Sequence, residues 1–175
     1  MINAIVCTGL DWSIGKNGKL LYHGKEDMRR FRELTTGGII IVGHKTFNTF
    51  KQKPLPGRTN IVISSEFDEP VGSHELIGSD MEHIIPFLEE NRHNDIPIWI
   101  VGGESVYEQL LPYTDRVWLT KVIHMWPDAD AFFPNLDKMQ DEWSIVRATD
   151  VNLDTSGIHK YHYQYFIYER NYERR

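Results

Sequence analysis

Apolar residues run almost unbroken through Ile2 to Thr8, Ile39-Ile40-Ile41-Val42 and Ile98-Trp99-Ile100-Val101. Short continuous runs of this kind predict strands buried on both faces of a sheet. Asn60 to Ser64 predicts another strand, and a short one is expected around Glu75 to Ile77. Beyond Pro112, strands are predicted at Arg116 to Ile123, at Phe132-Phe133-Pro134, at Trp143 to Asp150 and at Lys160 to Tyr168. The last two alternate, as in Tyr161, Tyr163, Tyr165 and Ile167, and with no helical pattern between them they predict an antiparallel edge. At about 100° per residue, Asp27, Phe31 and Leu34 share one side of a helix, with Glu26, Arg29, Arg30 and Glu33 on the others. Nothing basic is expected on the stripe with Asp27. Asp80 caps a second helix running to about Arg92, with Ile84, Ile85 and Leu88 inward and Pro86 as a source of bending. Glu104 to Leu111 is a third. The long segment Gly9 to His23 carries three glycines and the turn signal Asn17-Gly18, and reads as a mobile loop with Ile14 and Leu20 as apolar anchors. The expected fold is α/β: a single domain over residues 1–175 whose mostly parallel central sheet has flanking helices and an antiparallel C-terminal edge.

A chain of 175 residues, 41% hydrophobic, suffices for one core. The net charge of −6, without a clustered basic face, excludes a duplex nucleic-acid binder and makes the tyrosine row packing rather than a platform for bases. Cys7 is the single cysteine, so no internal disulfide is expected and the chain reads as intracellular, in the cytoplasm. The apolar start is too short for a signal peptide, and no stretch is long enough to span a membrane. The eight histidines offer no metal-spaced pair on a helix, and His159 and His162 face opposite sides of a strand, so no metal is expected.

The chemistry concentrates at a few points. A carboxylate on an apolar stripe is costly unless it meets a donor-rich partner or takes up a proton, and a ligand could be the partner of Asp27. The competing reading is that Asp27 serves the free N–H groups of the first helical turn. Gly43-His44-Lys45-Thr46-Phe47 follows a strand and begins a helix, an arrangement that points backbone N–H groups at an anion. Gly102-Gly103 before Glu104-Ser105-Val106-Tyr107 allows the same close approach, without the six-residue Rossmann fingerprint. Pro54-Leu55-Pro56-Gly57 is a rigid turn that presents Arg58, suited to bidentate binding of a carboxylate. Ser64-Ser65-Glu66 stands at the carboxyl end of a strand, the edge where ligands bind in open α/β sheets.

Taken in order, these motifs resemble the dihydrofolate reductase family. The resemblance rests on Ile14-Gly15 with Asn17-Gly18, Asp27 to Phe31, Gly43-x-x-Thr46-Phe47, Pro54 to Arg58, Ser64-Ser65, Val101-Gly102-Gly103 with Val106-Tyr107, Leu119-Thr120, and Phe132-Phe133-Pro134. It implies reduction of 7,8-dihydrofolate to tetrahydrofolate by hydride from NADPH, in support of one-carbon metabolism and thymidylate synthesis. By this resemblance Asp27 anchors the pterin with Thr120 beside it, and Leu20 and Tyr22 complete the catalytic surroundings. Ile5, Met28, Phe31, Leu55 and Val101 wall the substrate, and Arg58 clamps the glutamate α-carboxylate. Val6, Cys7, Ile14, Leu20, Val101 and Tyr107 line the nicotinamide. Gly43, His44, Lys45, Thr46, Ser64, Ser65, Gly102, Gly103, Glu104, Ser105 and Val106 hold the rest of the cofactor. The Gly102-Gly103 peptide is commonly cis in such enzymes. Expected partners are dihydrofolate and antifolate inhibitors, with no nucleic acid and no membrane, and the chain is expected to be a monomer.

There are departures from the family pattern. Tyr22 stands where tryptophan is usual, Leu21 where proline is, Leu20 where methionine is frequent and His44 where arginine is common. Glu66 follows Ser65 where a basic or neutral residue often helps hold the 2′-phosphate, so Lys45 and Ser65 would have to compensate. Two other readings stay open: a reductase of the riboflavin pathway sharing the fold, and a non-catalytic nucleotide-binding module.

Overall fold

The computed structural model describes residues 1–64, 71–73 and 76–172. The chain enters as β1 (Ile2–Thr8), β2 (Ser13–Lys16) and β3 (Lys19–Leu20), then α1 (Lys25–Thr35), β4 (Ile39–Gly43) and the short α2 (His44–Asn48). There follow β5 (Thr59–Ile63), β6 (Val71–Ser73), β7 (Leu76–Ser79), α3 (Met81–Asn91), β8 (Ile98–Ile100) and α4 (Glu104–Leu110). β9 (Arg116–Val122), β10 (Ala131–Phe132), β11 (Trp143–Ala148), β12 (Asn152–Asp154) and β13 (Tyr161–Arg170) complete it.

The main sheet has the order β11-β13-β9-β1-β8-β4-β5-β7-β6, with β12 on β13. From β9 through β1, β8, β4 and β5 to β7 every neighbour is parallel; β13 is antiparallel to β9, β11 and β12, and β6 to β7. The continuous apolar runs serve two faces at once. Ile2, Ala4 and Val6 of β1, Ile41 of β4, and Ile98 and Ile100 of β8 pack with α3 and α4 through Ile84, Leu88, Val106 and Leu110. Ile5, Ile40, Val42 and Trp99 point the other way, where Phe31 and Leu34 of α1 cover them. Alternation along strands covered by helices on both sides leaves no polar face, hence the unbroken runs.

The segment 9–23 differs from the loop its glycines predict. β2 and β3 form an antiparallel hairpin that closes a second small sheet with β10. Asn17 (φ 47°) and Gly18 (φ 72°) both take the left-handed region, as a two-residue hairpin turn of type I′ requires. The Asn17 N–H also donates to the Asp130 carboxylate at 2.9 Å, and the Leu10 N–H to the His124 carbonyl at 2.9 Å. Asp80 caps α3 as expected, its side chain accepting from the His83 N–H at 3.0 Å, and the helix continues through Pro86. Of the strand expected around Glu75 to Ile77, Leu76–Ser79 is observed, whereas Glu75 lies outside the described residues.

Because β1, β4, β5, β8 and β9 run the same way, their carboxyl ends share one edge of the sheet. That edge gathers Cys7, Gly43, Ser64, Val101 to Gly103 and Thr120.

Candidate active site

Asp27 sits in the first turn of α1 behind Gly24, which contributes no side-chain cap. Its half-buried carboxylate faces β9, where Thr120 is 2% exposed. Cys7 of β1, Thr120 of β9 and Tyr165 of β13 are register partners across three strands, so the carboxylate looks onto one row of the sheet. Burial raises the Asp27 pKa above the ordinary carboxylate range; the Thr120 hydroxyl as donor and the charges of Arg30 and His23 oppose the rise without cancelling it. Desolvation pushes the half-buried Cys7 thiol upward, and the Asp27 charge adds to the rise.

Arg30, which the helical spacing places on another side of α1 from Asp27, still carries its charge to the site. It lies half-buried with its guanidinium 3.9 Å from the Tyr165 ring centroid and 5.7 Å from that of Trp118, and its charge reaches Asp27. A spacing of three residues suffices to bring the two side chains onto adjoining parts of the helix surface.

Tyr22 is 7% exposed, and its hydroxyl donates to Asp154 Oδ2 at 2.6 Å. Burial and that bond together push the phenol well above its usual range. Asp154 feels the opposite balance: burial works against its charge, but hydrogen bonds from Ser156 and Tyr22 outweigh it and hold the carboxyl below its ordinary value. A Cβ at Gly24 would collide with the Tyr22 hydroxyl, so the entrance to α1 and the tyrosine fit only with glycine there. Asp154 escaped the sequence reading because it stands 132 residues from Tyr22, on a strand of three residues.

Tyr22 also joins Cys7, Thr8, Ile14 and Leu20 around one narrow cleft, with Trp126 on its far wall. Ile14 is buried and Leu20 is 49% exposed at the hairpin rim. Val6 and Tyr107 belong to the same core cluster as Ile14, and the Tyr107 hydroxyl donates to the Ile5 carbonyl at 2.7 Å. Burial pushes that phenol upward as well.

On the α1 side, Ile5 and Val101 are buried in one apolar cluster with Phe31 and Leu55 packed against it; Met28 is 44% exposed and stands outside that cluster. Arg58 borders the same wall. Its guanidinium carbon is 5.8 Å from the Phe31 ring centroid, Nε donates to the Pro56 carbonyl at 3.1 Å and Nη1 to Thr35 Oγ1 at 3.0 Å. Although only 7% exposed, it has no carboxylate partner among the described residues. Burial and the nearby charge of Arg32 both lower its pKa. The turn that delivers it is fastened by Asn60, which accepts from the Leu55 N–H at 2.8 Å and donates to the Leu55 and Arg58 carbonyls. Thr35 is a member the sequence reading missed, although 27, 31 and 35 mark one stripe of the helix.

The two glycine turns meet each other. The Gly43 N–H donates to the Gly102 carbonyl at 2.7 Å, and a Cβ on Gly103 would come 2.8 Å from Thr46 Oγ1. Gly102 has φ 99°, and a Cβ there would lie 2.6 Å from the Tyr107 ring. The Gly102–Gly103 peptide is cis. The starts of α2 and α4 thus open side by side at the sheet edge, with His44 and Thr46 half-buried and Lys45 and Ser105 exposed. Backbone N–H groups, a hydroxyl and two basic side chains suit a phosphate-bearing ligand. Glu104 instead accepts from the Phe132 N–H at 2.8 Å, tying α4 to β10. Ser64 is buried at the end of β5, its N–H donating to the Ser79 carbonyl at 2.9 Å. Ser65 and Glu66 lie outside the described residues.

Residues 1–170 match the sequence profile of the family described as dihydrofolate reductase. The chain is 31% identical over 172 residues to the dihydrofolate reductase of Bacillus subtilis, covering 97% of this chain and 95% of that one. It is 37% identical over 142 residues to that of Haemophilus influenzae, covering 81% and 82%. Among solved structures, dihydrofolate reductase from Enterococcus faecalis complexed with NADP(H) and RAB-propyl superposes with a TM-score of 0.80 at 29% identity, covering 98% of this chain and 97% of that one. A profile match across nearly the whole chain, with relatives of similar length, leaves one conclusion: the chain belongs to the dihydrofolate reductase family.

Proposed function

We propose that this chain reduces 7,8-dihydrofolate to 5,6,7,8-tetrahydrofolate at the expense of NADPH, as a single domain and as a monomer in the cytoplasm, supplying reduced folate for one-carbon transfer and thymidylate synthesis. The observation that carries this reading is the pair of charges at either end of one apolar wall. Asp27 is an acidic group lifted in pKa by burial, and Arg58 is a buried cation lacking a carboxylate partner among the described residues. A pterin offers adjacent N–H donors to the first, and a glutamate tail offers a carboxylate to the second. None of the described helices is long and apolar enough to cross a membrane.

NADPH, when bound, would supply the hydride for pterin C6, and N5 would take a proton. Asp27 holds the pterin N–H groups, favours the reactive tautomer and stabilises the positive charge that develops, with water the immediate proton donor to N5. Thr120 Oγ1 orients the carboxylate. Ile5, Phe31, Leu55 and Val101 keep bulk water from the ring, and Arg58 fixes the far end of the substrate so that the reacting carbon is held in register. Ile14, Leu20 and Cys7 would confine the nicotinamide, and the N–H groups at the starts of α2 and α4, with Thr46 and Lys45, would take the phosphates.

Antifolate inhibitors that present paired N–H donors to Asp27 belong to the same reading. The related reductase that needs no glutamate clamp is disfavoured by the buried Arg58. The test is oxidation of NADPH and NADH by the purified chain with and without dihydrofolate. Dihydrofolate-dependent oxidation favouring NADPH is expected; no oxidation by a chain that binds NADPH would refute the reading.

A further inference from the structure

A cavity of about 200 Å³ lies between α1 and the antiparallel edge formed by β9, β13 and β11, lined by Arg30, Trp118, Arg147, Thr149, Tyr165 and Ile167. None of the residues assigned above to substrate or cofactor lines it. Its composition is unusual: two guanidinium groups, three largely apolar side chains, one threonine and no carboxylate. Arg30 forms part of the wall. Its Nη1 is buried and has no hydrogen-bond partner among the described residues, and its planar face is already engaged by Tyr165. Arg147 is exposed on β11 and makes no hydrogen bond or ion pair among the described residues; its charge repels that of Arg30. Thr149 Oγ1 donates to the Asp150 carbonyl and accepts from the Tyr165 N–H, so it is spoken for.

Asp27 acts on Arg30 from outside the cavity, but no carboxylate stands in the lining beside Arg147, so an anion placed between the two guanidinium groups stabilises both. Guanidinium groups take a carboxylate in fork geometry, and the donor edge of Arg30 is the part left free. The walls select the rest of the ligand. Trp118 and Ile167 offer apolar surface that a bare oxyanion would leave wet, and a cavity of about 150 Å³ is known to accept a benzene ring, so about 200 Å³ suits one ring with a carboxylate.

We propose that this cavity is a second ligand site, taking a single-ring aromatic carboxylate between Arg30 and Arg147, separate from the folate and nucleotide clefts. Benzoate is the probe, titrated calorimetrically into the intact chain at fixed ionic strength, with and without saturating methotrexate and NADPH, and compared with inorganic phosphate. Saturable one-to-one binding of benzoate is expected in the millimolar range, with or without the two blockers. Phosphate is expected to bind at least tenfold more weakly. The Arg147→Met variant, altered at an exposed position that threatens neither fold nor turnover, is expected to lose affinity tenfold or more with its Tm and kcat unchanged. Absence of saturation overturns the proposal, as does competition by methotrexate or an unchanged affinity in Arg147→Met. Phosphate binding as tightly as benzoate overturns its aromatic part.

Discussion

Arg58→Leu separates a binding residue from a structural one, because the two roles predict opposite results. In the free chain Arg58 is 7% exposed as a residue, and its guanidinium holds two hydrogen bonds, to Pro56 O and Thr35 Oγ1, without an anionic partner among the described residues. Leucine forfeits both bonds, about 1 kcal/mol each. Thr35 keeps its own bond to the Phe31 carbonyl at 2.7 Å, and the cost of burying an unpaired charge disappears. These contributions oppose each other, so the free variant should stay within about 1 kcal/mol of the parent, or roughly 2–4 °C in Tm. Binding has no such offset. Two charge-assisted hydrogen bonds to the glutamate α-carboxylate, taken at about 1.5 kcal/mol each, amount to about 3 kcal/mol, a loss on the order of 100-fold in affinity. The assay is KM and Kd for dihydrofolate beside dihydropteroate, which lacks the glutamate and should bind parent and variant alike. A change below about threefold for dihydrofolate, an equal loss on dihydropteroate, or a Tm lower by more than about 10 °C would refute the clamp.

Other perturbations test the surroundings of Asp27. Tyr22→Phe removes the hydroxyl that donates to Asp154, with an expected cost of about 1.5 kcal/mol near neutral pH, or roughly 3–6 °C. Since Asp154 has a depressed pKa in the folded chain, its stabilisation is present above the unfolded value of about 3.9 and is lost as pH falls through the folded one, so the penalty in thermal melts should shrink in acid. Arg30→Met removes a charge that lowers the Asp27 pKa; that pKa should rise, and the limb of the hydride-transfer pH profile that vanishes in Asp27→Asn should move to higher pH. Gly102→Ala combines φ 99° with a Cβ contact of 2.6 Å on the Tyr107 ring and should abolish soluble expression, whereas Gly18→Ala, at φ 72° in open space, should cost only about 1–2 kcal/mol in a denaturant titration.

The sheet was readable because β1, β4 and β8 are covered on both faces, which leaves short, β-branched apolar runs bounded by glycine or proline, too short for buried helices. The β2–β3 hairpin was not. Its strands are four and two residues long, and the partner that makes them a sheet, β10, joins through contacts more than a hundred residues away, such as Asn17 to Asp130. Asn17-Gly18 announced the turn but not what flanked it. Asp27 was legible from its place on an apolar stripe. Arg30 was not, since a long cation can lie along aromatic rings while its Cα faces another way. The tight turn before Arg58 could be read locally, but its burial depends on Thr35 and Phe31 of α1. The Tyr22–Asp154 bond links positions with no shared local pattern.

Asp27 carries the chemistry in this scheme, and hydride transfer by Asp27→Asn measures it most directly. Single-turnover loss of reduced nicotinamide should be followed with saturating NADPH and dihydrofolate across a pH series, beside NADPH binding by the same variant. The expected result is unchanged cofactor affinity and a rate reduced at neutral pH by about 10²–10⁴, with the pH dependence attributable to Asp27 gone. A variant that transfers hydride near the parental rate, with the parental pH profile, would remove Asp27 from the mechanism.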